Sequence, residues 1–99
     1  MIFNFNYNKA IQQAKKIEDI AQEMRTMANT AFTNAVNSID SIWDGDSSVI
    51  YLRHCAQTKN QIIVKANDLD NLARRMRNVA RVLKEAEDRV IKDILSIFG

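Results

Sequence analysis

The residue types best suited to covalent chemistry are one histidine and one cysteine, His54 and Cys55, adjacent in the sequence. A thiol next to an imidazole can act as a nucleophile with its general base. Adjacent residues on a helix do not face each other, however, and no third residue is placed to orient the imidazole. We therefore predict that the protein is not an enzyme. A single cysteine also excludes an internal disulfide and a metal site built from several cysteines.

Three acids cluster near the middle of the chain, at Asp40, Asp44 and Asp46. A calcium loop needs alternating oxygen ligands closed by a glutamate, and this segment has neither. An acid at the start of a helix is favourable because of the helix dipole. We predict that these residues serve the second helix and that the protein holds no metal and no cofactor.

The stretch ARRMRNVARVLK places four cations along one side of a helix: Arg74, Arg77, Arg81 and Lys84. Such a stripe could contact phosphates, so a basic coiled-coil nucleic-acid binder is a remote alternative. Stacking aromatics and reading motifs are missing nearby, and the net charge is only +2. We predict instead a solvated face that pairs with Glu18, Asp19 or Glu23, and no binding of nucleic acid.

The elements that carry these residues are two long helices, because apolar residues recur at alternating spacings of four and three. The first set is Ala10, Ala14, Ile17, Ala21, Met24, Ala28, Ala31, Ala35, Ile39 and Ile42. The second is Leu52, Cys55, Ile62, Ala66, Leu69, Ala73, Met76, Ala80, Leu83, Val90, Ile94 and Ile97, with Lys59 and Glu87 at two positions where an apolar residue is expected. We call these sets the seam. The alanines predict a close approach of the helices.

The pattern predicts an all-α protein, a single helical-hairpin domain over residues 1–99. We expect an extended arm at 1–7, helix 1 at about 8–42, a turn at 43–47 and helix 2 at about 48–97. Gly45 suits a left-handed position that ends helix 1, and Asp46, Ser47 and Ser48 are good N-caps for helix 2.

A second apolar stripe flanks the seam and would stay exposed on an isolated hairpin, so we expect two hairpins to form a four-helix bundle. The flanking residues are Ile20, Met27, Phe32 and Val36 on helix 1 and Ile63, Leu72, Val79, Val82 and Ile91 on helix 2. The residues predicted to carry most of the packing are Ile17, Met24, Phe32, Leu69, Met76 and Leu83.

Trp43, Asp44 and Gly45 stand between the two predicted helices. On residue type alone, Trp43 is either a plug for the end of the bundle or a recognition side chain. With its length of about one hundred residues, its lack of proline and heptads on both arms, the chain resembles the WXG family of small type VII secretion substrates. The early secreted antigenic target proteins of mycobacteria are members of that family.

The resemblance implies a second motif near the C-terminus. Actinobacterial members carry Tyr-x-x-x-Asp/Glu there, and this chain has no tyrosine after Tyr51. Relatives from the Bacillus and Clostridium side show instead a hydrophobic, an acidic and two hydrophobic residues, a spacing that Leu83, Glu87, Val90 and Ile94 match. Glu87 is the informative member, because the seam calls for an apolar residue at that position.

The resemblance implies a dimeric protein exported in the folded state by the membrane ATPase of a type VII secretion system in a Gram-positive bacterium. Trp43 and Gly45 would form one half of the signal and the motif around Glu87 of the partner the other. The N-terminus lacks the features of a cleavable signal peptide. The partner would be a second copy, a related hairpin protein or the N-terminal domain of a toxin. The alternative is an intracellular adaptor or chaperone for the N-terminal helices of a larger secreted toxin.

Overall fold

The computed structural model describes residues 5–39 and 45–99, and two helices account for nearly all of them. Helix α1 is Tyr7–Ile39 and helix α2 is Gly45–Phe98. The helices pack antiparallel along one side of each other, in a rod whose Cα atoms span 81 × 15 × 13 Å. The predicted all-α helical hairpin is confirmed.

The observed helix bounds differ from the expected ones mainly at the start of α2. This helix begins at Gly45, so residues 45–47 of the predicted turn are helical. Gly45 does have the left-handed φ of +60° that its position suggested, but it opens α2 instead of following α1. Predicted residues 40–42 of helix 1 lie outside the described residues, as do Trp43 and Asp44 of the turn.

A local side-chain hydrogen bond lies at the start of each helix. Asn6 is the N-cap of α1, since its side-chain oxygen accepts a bond from the Lys9 backbone N–H at 3.0 Å. In α2 the Ser48 hydroxyl donates to the Gly45 carbonyl at 2.7 Å, so Ser48 lies within the first turn and is not the N-cap. Asp46 also lies in that first turn, where its charge is favourable with the helix dipole.

The core between the helices is made almost entirely of alanine. The buried residues among those described are Ala14, Ala21, Ala28, Ala66, Ala73 and Ala80, together with Ile39. Each helix thus carries three alanines spaced by seven residues, and no larger side chain is fully enclosed in the described part of the chain. Small side chains let the two backbones approach closely, but they bury little apolar surface.

Two ion pairs between the helices fix the register. Glu18 of α1 pairs with Arg77 of α2, and Arg25 pairs with Asp70. In this register Ala21 lies level with Ala73, at the centre of both alanine triplets. The alanine core therefore occupies the middle of the rod.

Helix α2 is 54 residues long against 33 for α1, so its C-terminal part extends past the start of α1. Tyr7, the first residue of α1, has its ring 5.9 Å from the ammonium of Lys84. The remainder of α2 beyond this point, about 20 Å at 1.5 Å per residue, ends in exposed apolar side chains. These are Ile94, Leu95, Ile97 and Phe98.

Candidate partner-binding surface

One long face of the hairpin is closed by contacts within the chain. On this ion-paired face, defined by Glu18, Arg25, Asp70 and Arg77, the Arg77 guanidinium donates to both Glu18 oxygens at 2.6 and 3.2 Å. Hydrogen bonding to Glu18 raises the pKa of Arg77. Arg25 donates to Asp70 and, at 2.7 Å, to the side-chain oxygen of Asn67.

The opposite face of the hairpin is apolar and open. Residues two positions apart on a helix point about 200° apart, so the residues two positions after each member of the ion-paired face lie on the other side. These residues are Ile20, Met27, Leu72 and Val79, which we call the apolar face. All four are exposed, Met27 and Val79 by more than half of their surface.

The solvent-accessible surface of the chain indicates how much of it is left for a partner to cover. The chain exposes 7604 Å², whereas a compact monomer of 11.3 kDa is expected to expose about 5,700 Å². The excess is larger than the roughly 800 Å² that each partner contributes to a standard protein–protein interface. An elongated hairpin therefore has ample surface for a partner that covers its length.

The residues predicted to carry the packing are only partly covered within one chain. Ile17, Met24, Phe32, Leu69 and Met76 are half-buried, and Leu83 is exposed. These side chains lie around the alanine core instead of filling it. Within the described residues, no contact buries them fully.

The two halves of the sequence motif lie far apart along one chain. Gly45 is the first residue of α2, and Glu87 lies 42 residues further along the same helix, about 63 Å at 1.5 Å per residue. Glu87 and Val90 are half-buried, whereas Leu83 and Ile94 are exposed. Trp43 lies outside the described residues. Gly45 and Glu87 therefore do not meet within one chain.

A shallow groove between the helices contains the residues first considered for nucleophilic chemistry. His54, Cys55 and Tyr51 line it together with Lys59. A hydrogen bond with Cys55 is the main cause that raises the pKa of the Tyr51 phenol. Within the described residues, His54 and Cys55 form no hydrogen bond with each other, and His54 is exposed.

Lys59 and Glu87, the two charged residues at seam positions, have different surroundings. The ammonium of Lys59 lies 4.4 Å from the centroid of the Phe32 ring, a cation–π contact that compensates for the missing apolar side chain. In the described part of the chain, Glu87 has no hydrogen-bond or ion-pair partner. A half-buried acid without a partner is unusual in a seam.

The basic stripe of α2 is largely occupied by carboxylates. Arg77 pairs with Glu18 as predicted, but Asp19 pairs with Lys15 inside α1. Two further cations pair within α2, Arg81 with Glu85 and Lys84 with Asp88, and Arg74 donates to Asn71. This occupancy weakens the case for a phosphate-binding stripe.

Sequence reasoning missed two features of the described chain. One is the Asn6 cap, whose signal is an asparagine directly before a helical pattern. The other is a set of charged side chains bordering the apolar face: Lys16, Glu23, Asp68 and Arg75. Its signal is an acid and a base seven residues apart around an exposed apolar residue.

Residues 5–39 and 45–99 contain no helix apolar enough along its length to cross a membrane. Nor does that part of the chain hold a group of three or more His, Cys, Asp or Glu side chains that could bind a metal ion. Comparisons with protein-family models, curated protein sequences and solved structures gave no match. The likeness to the WXG family thus rests on the residues of this chain alone.

Proposed function

We propose that this chain is a small substrate of a type VII secretion system, exported as a folded helical dimer. The observation that carries the proposal is a hairpin of two long helices in whose sequence Trp43 and Asp44 directly precede Gly45, the first residue of α2. The open apolar face supports the dimer. A folded dimer needs no N-terminal leader if its own surface is the signal read by the membrane ATPase.

In this proposal the signal is composite. Trp43 and Gly45 of one chain lie beside the motif Leu83, Glu87, Val90 and Ile94 of an oppositely directed partner. Gly45 and Glu87 of one chain are about 63 Å apart along α2, so the proposed signal needs a partner molecule. Glu87 has no hydrogen-bond or ion-pair partner among the described residues. A carboxylate left without a partner is available to a receptor.

A secretion assay tests this function. The tagged chain is expressed in a Gram-positive bacterium with an active type VII system and in an otherwise identical strain lacking its ATPase. We expect the protein in the culture medium of the first strain only. Equal amounts outside both strains would exclude ATPase-dependent export.

Two variants test the signal, with light scattering as the control for assembly. Trp43→Ala and Glu87→Ala should each reduce export at least tenfold while the purified proteins keep a mass of two chains. Loss of the dimeric mass would assign these residues a structural role. Unchanged export of both variants would contradict their role in the signal.

The same apolar face supports a second candidate, an intracellular adaptor for the N-terminal helices of a larger secreted toxin. This candidate places the chain inside the cell after its cargo has left. Recovery of the chain only in the cell fraction, bound to a larger helical protein, would favour the adaptor over the exported dimer.

A further inference from the structure

Phe5 directly precedes the N-cap of α1 and lies on the side of the apolar face. Its side chain is half-buried, whereas that of its neighbour Asn6 is exposed. Phe5 and Ala10 line the same depression. Their spacing is that of a hydrophobic staple, in which the residue before the N-cap packs against the fourth residue of the helix and fixes the direction of the incoming chain. The chain before α1 therefore approaches from the side of the apolar face.

The depression that begins at Phe5 and Ala10 continues along the rod between the two helices. We call it the trough, and its volume is about 450 Å³. The residues that α2 contributes are Leu72, Arg75, Met76, Val79 and Ala80. Since Ala21 is level with Ala73, Ala10 is level with position 84, and the trough extends about 18 Å from there to Leu72. It thus leads from the start of α1 toward the middle of the rod.

The trough is apolar and open to solvent. Leu72 is 40% exposed and Val79 is 58% exposed. Among the described residues that line the trough, Arg75 alone is charged, and its side chain is exposed. Such a groove is suited to apolar side chains, with a single cation at its border.

The sequence before Phe5 has the pattern that this groove requires. The four preceding residues read Met-Ile-Phe-Asn and lie outside the described part of the chain. In an extended segment, alternate side chains point to the same side. The side that carries Phe5 therefore also carries Phe3 and Met1, whereas Asn4 and Ile2 belong to the other side.

The length of this segment matches the trough as well. Four extended residues span about 13 Å, which fits within the length of the trough. Extended from Phe5 toward the middle of the rod, the segment would bring Phe3 to the level of Val79. In the opposite direction, beyond the start of α1, no second helix of the described chain lies beside α2, and a groove needs two sides.

We propose that residues 1–5 form a strap that folds back along the trough of its own chain, with Phe3 beside Val79. The strap covers part of the apolar face of a single hairpin, and a partner that binds this face must displace it. The N-terminal segment is thus an intrachain inhibitor of assembly. The position of the strap is independent of the proposed function, and only its effect on the dimer rests on that function.

Disulfide trapping tests the position of the strap. In a Cys55→Ser background, Phe3→Cys combined with Val79→Cys should form a disulfide within one chain under mild oxidation of dilute protein, because the two Cα atoms come within about 7 Å. Ile2→Cys combined with Val79→Cys is the matched control and should be trapped far less, since Ile2 points away from the trough. Equal trapping of the two pairs, or no trapping of the first, would overturn the proposal.

A mixture of single variants separates a strap within the chain from an arm exchanged between two chains. Phe3→Cys and Val79→Cys, each in the Cys55→Ser background, are oxidised together and analysed by mass spectrometry. A strap within the chain leaves the two variants unlinked to each other. An abundant covalent heterodimer would show an exchanged arm and overturn the intrachain position.

Dimer affinity tests the inhibition. Phe3→Ser removes an apolar side chain from the strap and should tighten the dimer roughly tenfold in sedimentation equilibrium, because apparent affinity falls with the fraction of molecules whose binding face is free. Ile2→Ser is the matched control and should leave the affinity unchanged. A weaker Phe3→Ser dimer would make the arm part of the interface, and that result or an unchanged affinity would contradict the inhibition.

The strap and the secretion function fail separately. A chain that is trapped as expected but appears outside the cell without the ATPase contradicts the secretion function alone. A chain that is exported with the ATPase but forms no disulfide between Phe3→Cys and Val79→Cys contradicts the strap alone.

Discussion

The two long faces of the hairpin use the same helices for different purposes. On one face, Glu18 with Arg77 and Arg25 with Asp70 satisfy each other inside the chain. On the other face, two residues further along each helix, the side chains are apolar and exposed, with unpaired charges at their border. The ion-paired face sets the register of the hairpin. The apolar face leaves exposed side chains that a partner could cover.

The largest difference between the faces should come from a charge at the centre of the apolar face. Leu72→Asp places a carboxylate on the face proposed to bind a second copy and should weaken dimerisation at least a hundredfold, because a buried unpaired charge is costly. Sedimentation equilibrium measures the effect. Asn60→Asp is the matched control, since Asn60 is exposed and lies twelve positions before Leu72, about 120° away round α2, and it should leave the mass at two chains.

Charge reversal on the ion-paired face should act on stability and leave assembly intact. Arg77→Glu puts two carboxylates together at the Glu18 contact and should lower the free energy of unfolding by about 1 kcal/mol, a partly exposed pair being screened by solvent. Urea unfolding at one fixed protein concentration measures this. The double variant Glu18→Arg with Arg77→Glu should recover most of the loss, and a variant that becomes monomeric would contradict the division of roles.

The Arg25 contact should matter more than an exposed pair on the same helix. Arg25→Ala removes bonds to both Asp70 and Asn67 and should cost about 1 kcal/mol, since its side chain is only 24% exposed. The smallest effect is expected for Lys15→Ala, which breaks an exposed pair with Asp19 and should cost a few tenths of a kcal/mol. Thermal unfolding followed by circular dichroism compares the two, and equal losses would contradict this order.

The helical hairpin was predictable because its determinants are local and periodic. Seam residues from Ala10 to Ile97 repeat every three or four positions, and a period of this kind specifies a long amphipathic helix whatever it packs against. The short segment around Gly45 then leaves only an antiparallel arrangement. The same pattern predicted that Ile20, Met27, Leu72 and Val79 would be exposed on a single hairpin.

Other features depend on contacts that periodicity does not specify. Helix α2 begins at Gly45, whereas the sequence signals predicted its start about three residues later. Helix ends are commonly uncertain by a residue or two. The partners of Asp19 and Arg81 were decided by side chains four residues away on the same helix, which compete with those across the interface. The border charges can be seen in the sequence. That they form no ion pair within the described residues could be learned only from the structure.

The alanine core has a consequence for how the chain tolerates substitution. In most domains the strictest positions hold large side chains that fill space, whereas here Ala21 and Ala73, both fully buried, hold the smallest side chain that keeps helix propensity. Glycine at either position would weaken the helix, and any larger residue would push the helices apart. Saturation mutagenesis of this chain would therefore find its least replaceable residues among its smallest.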